Sequence, residues 1–220
     1  MILSPGRGYV FIHIPKTGGT ALALALEGRA MKDDILLGDT PKARRRRHRV
    51  QGAAVRGRLW KHSTLADIEG LVPDPVLDGL FAFTLVRNPW DRAVSYYHWL
   101  QSQSFDHPAV GLAKTLAFEG FVTHPEIRAG FRATPAGSYM RRSDGREQGC
   151  TYIRIERFEA DAAPLFAHLG FRLDLTRVNR SSRPVDYRTA YSDRAAAAIA
   201  EDCAEDIARF GYRFGDLAGV

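Results

Sequence analysis

A short stretch near the start of the chain reads Lys16-Thr17-Gly18-Gly19-Thr20. Lysine supplies a compact positive charge, and the threonine hydroxyls supply hydrogen-bond donors. The two glycines allow the backbone to approach a phosphate or a sulfate closely, because no Cβ stands in the way. The stretch therefore predicts an anion-binding loop. A glycine turn with an incidental lysine is the alternative.

The elements on either side of this loop support the anion site. Residues 9–14 are mostly β-branched or aromatic and stop at Pro15, which predicts a buried strand. After Thr20, residues 21–27 are Ala, Leu and Glu, which are strong helix formers, and Gly28 can end a helix. This pattern predicts a helix over residues 20–27. A loop between a strand and a helix directs unpaired backbone N–H groups at one place. In the Walker pattern, GxxxxGK[ST], the lysine follows the last glycine, whereas Lys16 precedes both glycines, so a triphosphate site fits poorly.

A second segment, VRNPWDRAVSYY at 86–97, follows a predicted strand over 81–86. Asn88 and Pro89 are a favourable N-cap and first-turn pair for a helix over 89–102. Arg87 then lies at the carboxyl end of a strand, where ligands gather in open α/β sheets, and could bind a phosphate together with the hydroxyl of Ser95. The alternative is that Arg87 only pairs with Asp91.

The rest of the chain alternates between strand and helix patterns. This alternation predicts an α/β fold with a central, mainly parallel sheet flanked by helices, in a single domain over residues 1–220. The further expectations are an exposed loop over 40–58, a short helix from Ser63 or Thr64 to Ile68, a helix over 112–122, a turn-rich stretch over 124–149, a strand over 151–155, a helix over 159–169, and a last long helix capped by Ser192 and ended by Gly211.

Composition restricts the classes of partner. The 220 residues include 31 Lys and Arg against 25 Asp and Glu, a net charge of +6 that favours anionic ligands. The basic run over 44–47 lacks interleaved aromatic residues, so no nucleic-acid partner is expected. Two isolated cysteines indicate neither a disulfide framework nor a zinc site. Without a signal peptide or a sufficiently long apolar run, a cytoplasmic protein with no membrane span is expected.

Together these segments resemble the sulfotransferase superfamily, in particular its carbohydrate-type and bacterial members. The blocks at 11–22 and 83–99 are the specific ones, and the resemblance covers most of the chain. The segments are FIHIPKTGGTAL at 11–22, KHST at 61–64, FTLVRNPWDRAVSYYHW at 83–99, YIRIERFEADAAPLFAHLGF at 152–171 and NRSSRPVDYRTAY at 179–191.

The resemblance implies a fold and a donor. The fold would be a P-loop-like three-layer sandwich, and the donor would be 3′-phosphoadenosine-5′-phosphosulfate (PAPS), leaving adenosine-3′,5′-bisphosphate (PAP) as product. The residues implied in donor binding are Lys16, Thr17, Gly18, Gly19 and Thr20 at the 5′-phosphosulfate, Arg87 and Ser95 at the 3′-phosphate, and Arg183 with its neighbours Arg180, Ser181 and Ser182 in a late loop. One departure is that residues 132–139 lack a glutamine that related chains often carry.

Catalysis would need a stabiliser of the leaving group and a base. Lys16 would stabilise the leaving phosphate oxygen, and no metal is expected, since a sulfuryl group carries less charge than a phosphoryl group. Among seven histidines, His62 is the first candidate for the base, because the resemblance places a catalytic histidine there. His13, at the end of the first strand, is the second. A surface or capping role is the alternative for His62.

Two other functional classes remain open at this point. A P-loop-type nucleotide kinase would need the Walker order, and a non-catalytic polyanion-binding module would use the basic run alone. The resemblance favours a sulfotransferase that acts on a hydroxyl acceptor, with a carbohydrate or glycoconjugate as the first candidate. A glycolipid or a small natural product would also fit, and the oligomeric state is open.

Overall fold

A five-stranded sheet organises the first part of the fold in a computed structural model that describes residues 1–148, 150–175 and 186–216. Across the sheet the strands follow the order β3-β1-β2-β4-β5. Four of them run in the same direction and β1 runs against them, so the prediction of a mainly parallel sheet is confirmed. The strands are β1 (Ile2–Ser4), β2 (Tyr9–Ile12), β3 (Ile35–Leu36), β4 (Phe81–Val86) and β5 (Cys150–Arg154).

Twelve α-helices are found in the described part of the chain. They are α1 (Gly19–Gly28), α2 (Pro41–Arg46), α3 (Asp74–Asp78), α4 (Pro89–Gln101), α5 (Pro108–Thr115), α6 (Phe118–Val122), α7 (Pro125–Ala133), α8 (Ala136–Tyr139), α9 (Phe158–Asp161), α10 (Ala163–Leu169), α11 (Asp193–Asp202) and α12 (Ala204–Phe210). None of them is long and apolar enough to cross a membrane.

The chain divides into two compact units. The first, Met1–Val86 with Ala136–Val178, contains the whole sheet. The second, Arg87–Pro135 with Asn179–Val220, contains α4 to α7 and α11 and α12. The expectation of one domain over residues 1–220 stays a prediction.

The hydrophobic core of the first unit holds β2, the following loop and α1 in place. All residues of β2, and all but the first of β4, are buried. They include Phe11 and Phe83, whose rings lie 5.3 Å apart. Leu22 and Leu26 of α1 join the same cluster, as do residues of α9 and α10. Burial of this apolar surface fixes α1 against the strands, and so fixes the loop that joins β2 to α1.

The basic segment differs from its prediction. Residues 41–46 form α2 and residues 47–50 a 3₁₀ turn, where an exposed loop was expected. The hydroxyl of Thr40 caps α2 by accepting a hydrogen bond from the N–H of Ala43, which is buried. The Thr40 hydroxyl also donates to Glu27 of α1, over 2.7 Å. Arginine is a good helix former, so a charge run does not exclude a helix once its N-terminus is capped and anchored.

Three long helices predicted from the sequence are each divided or differently placed. The helix expected over 112–122 is two helices, because Leu116 is extended and its carbonyl accepts a hydrogen bond from the Tyr97 hydroxyl at 2.8 Å. The stretch expected to be turns contains α7, which begins at Pro125. The helices expected over 159–169 and after Ser192 break at Ala162 and Cys203, although the Ser192 cap and the Gly211 end are confirmed.

The expected helix over 63–68 is a series of turns. Thr64 and Asp67 do form the reciprocal hydrogen bonds of a capping box, at 2.8 and 3.2 Å. The N–H groups of Leu65 and Ala66, however, donate to carbonyls of residues 139 and 141. These longer-range bonds hold the segment in place instead of a helix.

Candidate functional site

The loop between β2 and α1 has an unusual backbone. Lys16 has φ = 66° and is the one non-glycine residue in the described part of the chain with a positive φ. Gly18 follows at φ = 87° and forms the N-cap of α1. A left-handed lysine costs conformational energy and tends to occur where the surroundings impose it, often at a functional site. The loop therefore presents Lys16 in a fixed backbone geometry.

Thr17 holds the loop rather than extending from it. Its side chain is buried, with 1% exposure, and its hydroxyl donates a hydrogen bond to the Ile14 carbonyl over 2.9 Å. The hydroxyl proton is thus used inside the loop. Thr17 therefore stabilises the backbone of the loop, whereas Thr20 is exposed to solvent.

The two glycines are required by close neighbours. A Cβ on Gly18 would lie 2.1 Å from Cδ1 of Ile155, the residue after β5. A Cβ on Gly19 would lie 2.2 Å from Cδ2 of His13, the residue after β2. Sequence reasoning missed this packing and assigned the glycines to anion approach alone. The position of His13 and Ile155 directly after strands was the available signal, because strand ends meet at one edge of the sheet.

Gly18→Ala is expected to lower the free energy of unfolding by about 2 to 4 kcal/mol, from left-handed strain together with overlap on Ile155. Urea unfolding measures the change. Valine lacks the Cδ1 atom of isoleucine. The double variant Gly18→Ala/Ile155→Val should therefore recover only the part of the free energy of unfolding that is lost to steric overlap. Gly130→Ala is a matched control inside α7 with open space around it. A Gly18→Ala protein as stable as this control would contradict the packing account.

Backbone donors converge at the start of α1. Among the described residues, no hydrogen-bond acceptor is found for the N–H groups of Gly18, Gly19 and Thr20. The first turn of a helix leaves such donors unsatisfied and carries partial positive charge, which favours an anion. Because Lys16 lies two residues before Gly18, the loop combines a cation with several aligned donors.

His62 lies beside the residue that precedes the loop. Its Nδ1 is 2.7 Å from the His13 carbonyl oxygen, and the two imidazole rings are 4.7 Å apart. A carbonyl can only accept, so Nδ1 donates this bond, and the neutral ring then carries its lone pair on Nε2. Burial lowers the pKa of His62 to about 4, with Lys61 adding to the effect. His62 is thus a neutral imidazole with a defined tautomer at pH 7.

The remaining histidines in the described part of the chain are less suitable as bases. His13 is only 7% exposed, so its ring is less accessible to an acceptor than that of the half-buried His62. The ring nitrogens of four others contact the backbone: His48 the carbonyl of residue 45, His107 and His124 the first turns of α5 and α7, and His168 the carbonyl of residue 7. The last, His98, lies on α4 in the second unit, where its ring contacts that of Tyr97. The geometry therefore favours His62, with His13 behind it.

Lowering the pH from 7 to 5 is expected to cost about 2 kcal/mol of stability through His62 alone. The pKa of His62 is about 4 when folded and about 6.5 when unfolded, so only the unfolded chain gains a proton in this window. The stability that comes from keeping His62 neutral is therefore fully present above pH 6.5 and is lost as the pH falls towards 4. Urea unfolding at both pH values checks this. The drop should be about 2 kcal/mol smaller in His62→Gln, and an equal drop in the variant would refute it.

In the second unit, Arg87 pairs with Asp91, as the sequence alternative foresaw. Its Nε and one terminal nitrogen lie 2.7 and 2.6 Å from the same carboxylate oxygen. Both side chains are largely buried, with 12% and 8% exposure. The pair holds the guanidinium against the first turn of α4.

Ser95 lies on the same face of α4 as Asp91, one turn further along. It is 6% exposed, and among the described residues no hydrogen bond engages its hydroxyl. Because Arg87 is bound to Asp91, its side chain lies on the same helix face as Ser95. Asn88 caps this helix as predicted, accepting from the N–H of Trp90 at 3.1 Å.

The other predicted donor contacts cannot be placed. Arg183, with Arg180, Ser181 and Ser182, lies outside the described residues. Within residues 1–148, 150–175 and 186–216, no group of three or more His, Cys, Asp and Glu side chains is arranged to hold a metal ion.

No protein-family profile and no curated protein matches the chain. Among solved structures, the chain is similar to that of the mouse sulfotransferase SULT7A1 complexed with PAP. The two share 14% sequence identity with a TM-score of 0.47, over 91% of this chain and 84% of the mouse chain. The site is therefore interpreted from its own residues.

Proposed function

We propose that this protein is a sulfotransferase that transfers the sulfuryl group of PAPS to a hydroxyl acceptor. The observation that carries the proposal is the loop between β2 and α1. It combines a left-handed Lys16 with a helix start whose N–H groups are unengaged within the described chain. This arrangement suits a phosphosulfate, and its lysine stands before the glycines rather than after them, unlike that of a triphosphate loop.

PAPS carries a 5′-phosphosulfate and a separate 3′-phosphate. Besides the loop proposed for the phosphosulfate, the chain has a second pair of side chains that can bind an anion. Arg87 and Ser95 share one face of α4 in the second unit, and the Ser95 hydroxyl is free of hydrogen bonds within the described residues. We assign these two residues to the 3′-phosphate. Arg183 is assigned to the donor by the sequence resemblance alone.

The proposed reaction is an in-line displacement at sulfur. The acceptor oxygen forms a bond to sulfur while the bond between sulfur and the 5′-phosphate oxygen breaks, and PAP leaves with that electron pair. The acceptor proton passes to Nε2 of His62, whose Nδ1 is committed to the His13 carbonyl. Lys16 stabilises the negative charge that develops on the leaving oxygen. The remaining role of the protein is to position the two substrates.

A screen of hydroxylated acceptors with PAPS carrying radiolabelled sulfur tests this proposal. Incubation with polysaccharides, glycolipids and small natural products should label at least one class in the unaltered protein. The Lys16→Met variant should label the same acceptor about 100- to 1000-fold more slowly. Equal labelling by the Lys16→Met protein would contradict the assignment, as would transfer of the terminal phosphate of ATP in place of sulfur.

A further inference from the structure

The side chain of Trp60 is exposed to solvent beside His62, the candidate base. The indole of Trp60 is 41% exposed, and its ring lies 5.0 Å from that of His62, edge to face at 85°. A single exposed apolar residue is common on protein surfaces. This one, however, contacts the residue that would receive the acceptor proton, so any acceptor at Nε2 of His62 comes close to it.

An arginine accompanies the indole. The guanidinium carbon of Arg58 lies 5.1 Å from the centre of the Trp60 ring, and the arginine is exposed. Among the described residues, no carboxylate pairs with Arg58. The next cation, Lys61, is bound to Asp39 over 2.6 Å, so its charge is largely offset. Arg58 is therefore a cation beside Trp60 that has no carboxylate partner among the described residues.

The backbone that carries both side chains is held rigidly. The Ser63 hydroxyl is fully buried, accepts from the Trp60 N–H at 2.9 Å, and lies 2.8 Å from the Arg58 carbonyl oxygen. Just before them, the N–H groups of residues 56 and 57 donate to the carbonyls of residues 69 and 67, both over 3.1 Å. A buried side chain thus fixes the spacing between an exposed cation and an exposed ring, as a preformed binding surface requires.

We propose that Arg58 and Trp60 form the acceptor subsite beside His62, and that it selects a hydroxylated sugar ring bearing a carboxylate or sulfate. The proposal rests on the sulfotransferase function. The guanidinium binds the acidic group bidentately, and the indole packs on the sugar ring, which directs a hydroxyl of that ring to His62. A small apolar acceptor would instead require enclosure, whereas both residues are open to solvent.

Matched oligosaccharides test the charge requirement. Chondroitin oligosaccharides and their carboxyl-reduced counterparts differ in the carboxylate alone. In the presence of PAP, calorimetry should show that the unaltered protein binds the carboxylated form at least about tenfold more tightly. Arg58→Ala should remove this preference, and Trp60→Ala should weaken binding of both forms by about tenfold. Trp60→Phe should restore part of the affinity.

Two controls separate this subsite from other causes. Arg56→Ala removes an exposed arginine from the same segment, 64% exposed, and should leave oligosaccharide binding unchanged. The rise in melting temperature with PAP should be the same in all these variants. Equal binding of the charged and neutral oligosaccharides, or unaltered binding by Arg58→Ala and Trp60→Ala, would overturn the subsite. Absence of any PAP effect in the unaltered protein would instead remove the proposed function, and the acceptor assignment with it.

Discussion

Replacing Lys16 with methionine is expected to lower kcat for sulfuryl transfer by about two to three orders of magnitude. Methionine keeps roughly the length of the side chain but removes the charge that we propose to stabilise the leaving phosphate oxygen. That charge develops only as the bond to sulfur breaks, so the loss should fall on kcat more than on donor affinity. Single-turnover kinetics with saturating PAPS measures it.

The backbone of this position needs its own control, because Lys16 has φ = 66°. Asparagine tolerates the left-handed region better than methionine does. If the charge is responsible, Lys16→Asn and Lys16→Met should lose activity to the same extent, with melting temperatures close to that of the unaltered protein. Activity retained by Lys16→Asn would show that Lys16 serves the loop conformation and not the transition state.

Replacing His62 with alanine is expected to lower kcat by about 10²- to 10⁴-fold while the Kd for PAP stays unchanged. The lone pair on Nε2 is the proposed acceptor of the proton, and the hydrogen bond from Nδ1 to the His13 carbonyl, at 2.7 Å, fixes that tautomer. A pKa of about 4 leaves the ring unprotonated across the whole neutral range, at the cost of a lower basicity than an exposed histidine has. Turnover assays and PAP calorimetry on the same preparation separate the two effects.

His48→Ala is a suitable control, because His48 is an exposed histidine that contacts the carbonyl of residue 45. It should turn over normally. Added imidazole should restore part of the activity of His62→Ala and leave His48→Ala unaffected. Near-normal turnover by His62→Ala would remove this residue from the base role, and His13→Asn would then test the second candidate.

Local sequence signals predicted the elements that carry the two motifs. Pro15 at the end of a β-branched run and Gly28 after an Ala-Leu repeat marked β2 and α1, and Asn88 with Pro89 marked the start of α4. The strands that were missed, β1 and β3, are three and two residues long. Runs of this length carry no periodic signal, and their pairing depends on contacts distant in sequence.

The helices that were wrongly joined show the same limit. Their apolar patterns continue through Leu116 and Cys203, where the backbone leaves the helix. The cause at Leu116 is a hydrogen bond from Tyr97, 19 residues earlier. A periodic pattern records which face is buried but not whether the backbone stays helical throughout.

The candidate site was predictable in its residue types but not in its contacts. Arg87 and Asp91 are four residues apart on or next to a helix, so their ion pair could be foreseen. The bond from His62 to the His13 carbonyl spans 49 positions and has no local signature. The close packing of Ile155 on Gly18 and of His13 on Gly19 has no local sequence signature either.

The most direct test of the donor assignment is the melting temperature with two nucleotides. A ligand that binds only the folded state at about 100 times its Kd adds about 2.7 kcal/mol of stability. PAP at that level should raise the melting temperature of this 220-residue protein by roughly 5 to 10 °C. The same concentration of ATP with magnesium should raise it much less, and Arg87→Ala should reduce the PAP effect. A larger shift with ATP and magnesium than with PAP would contradict the account.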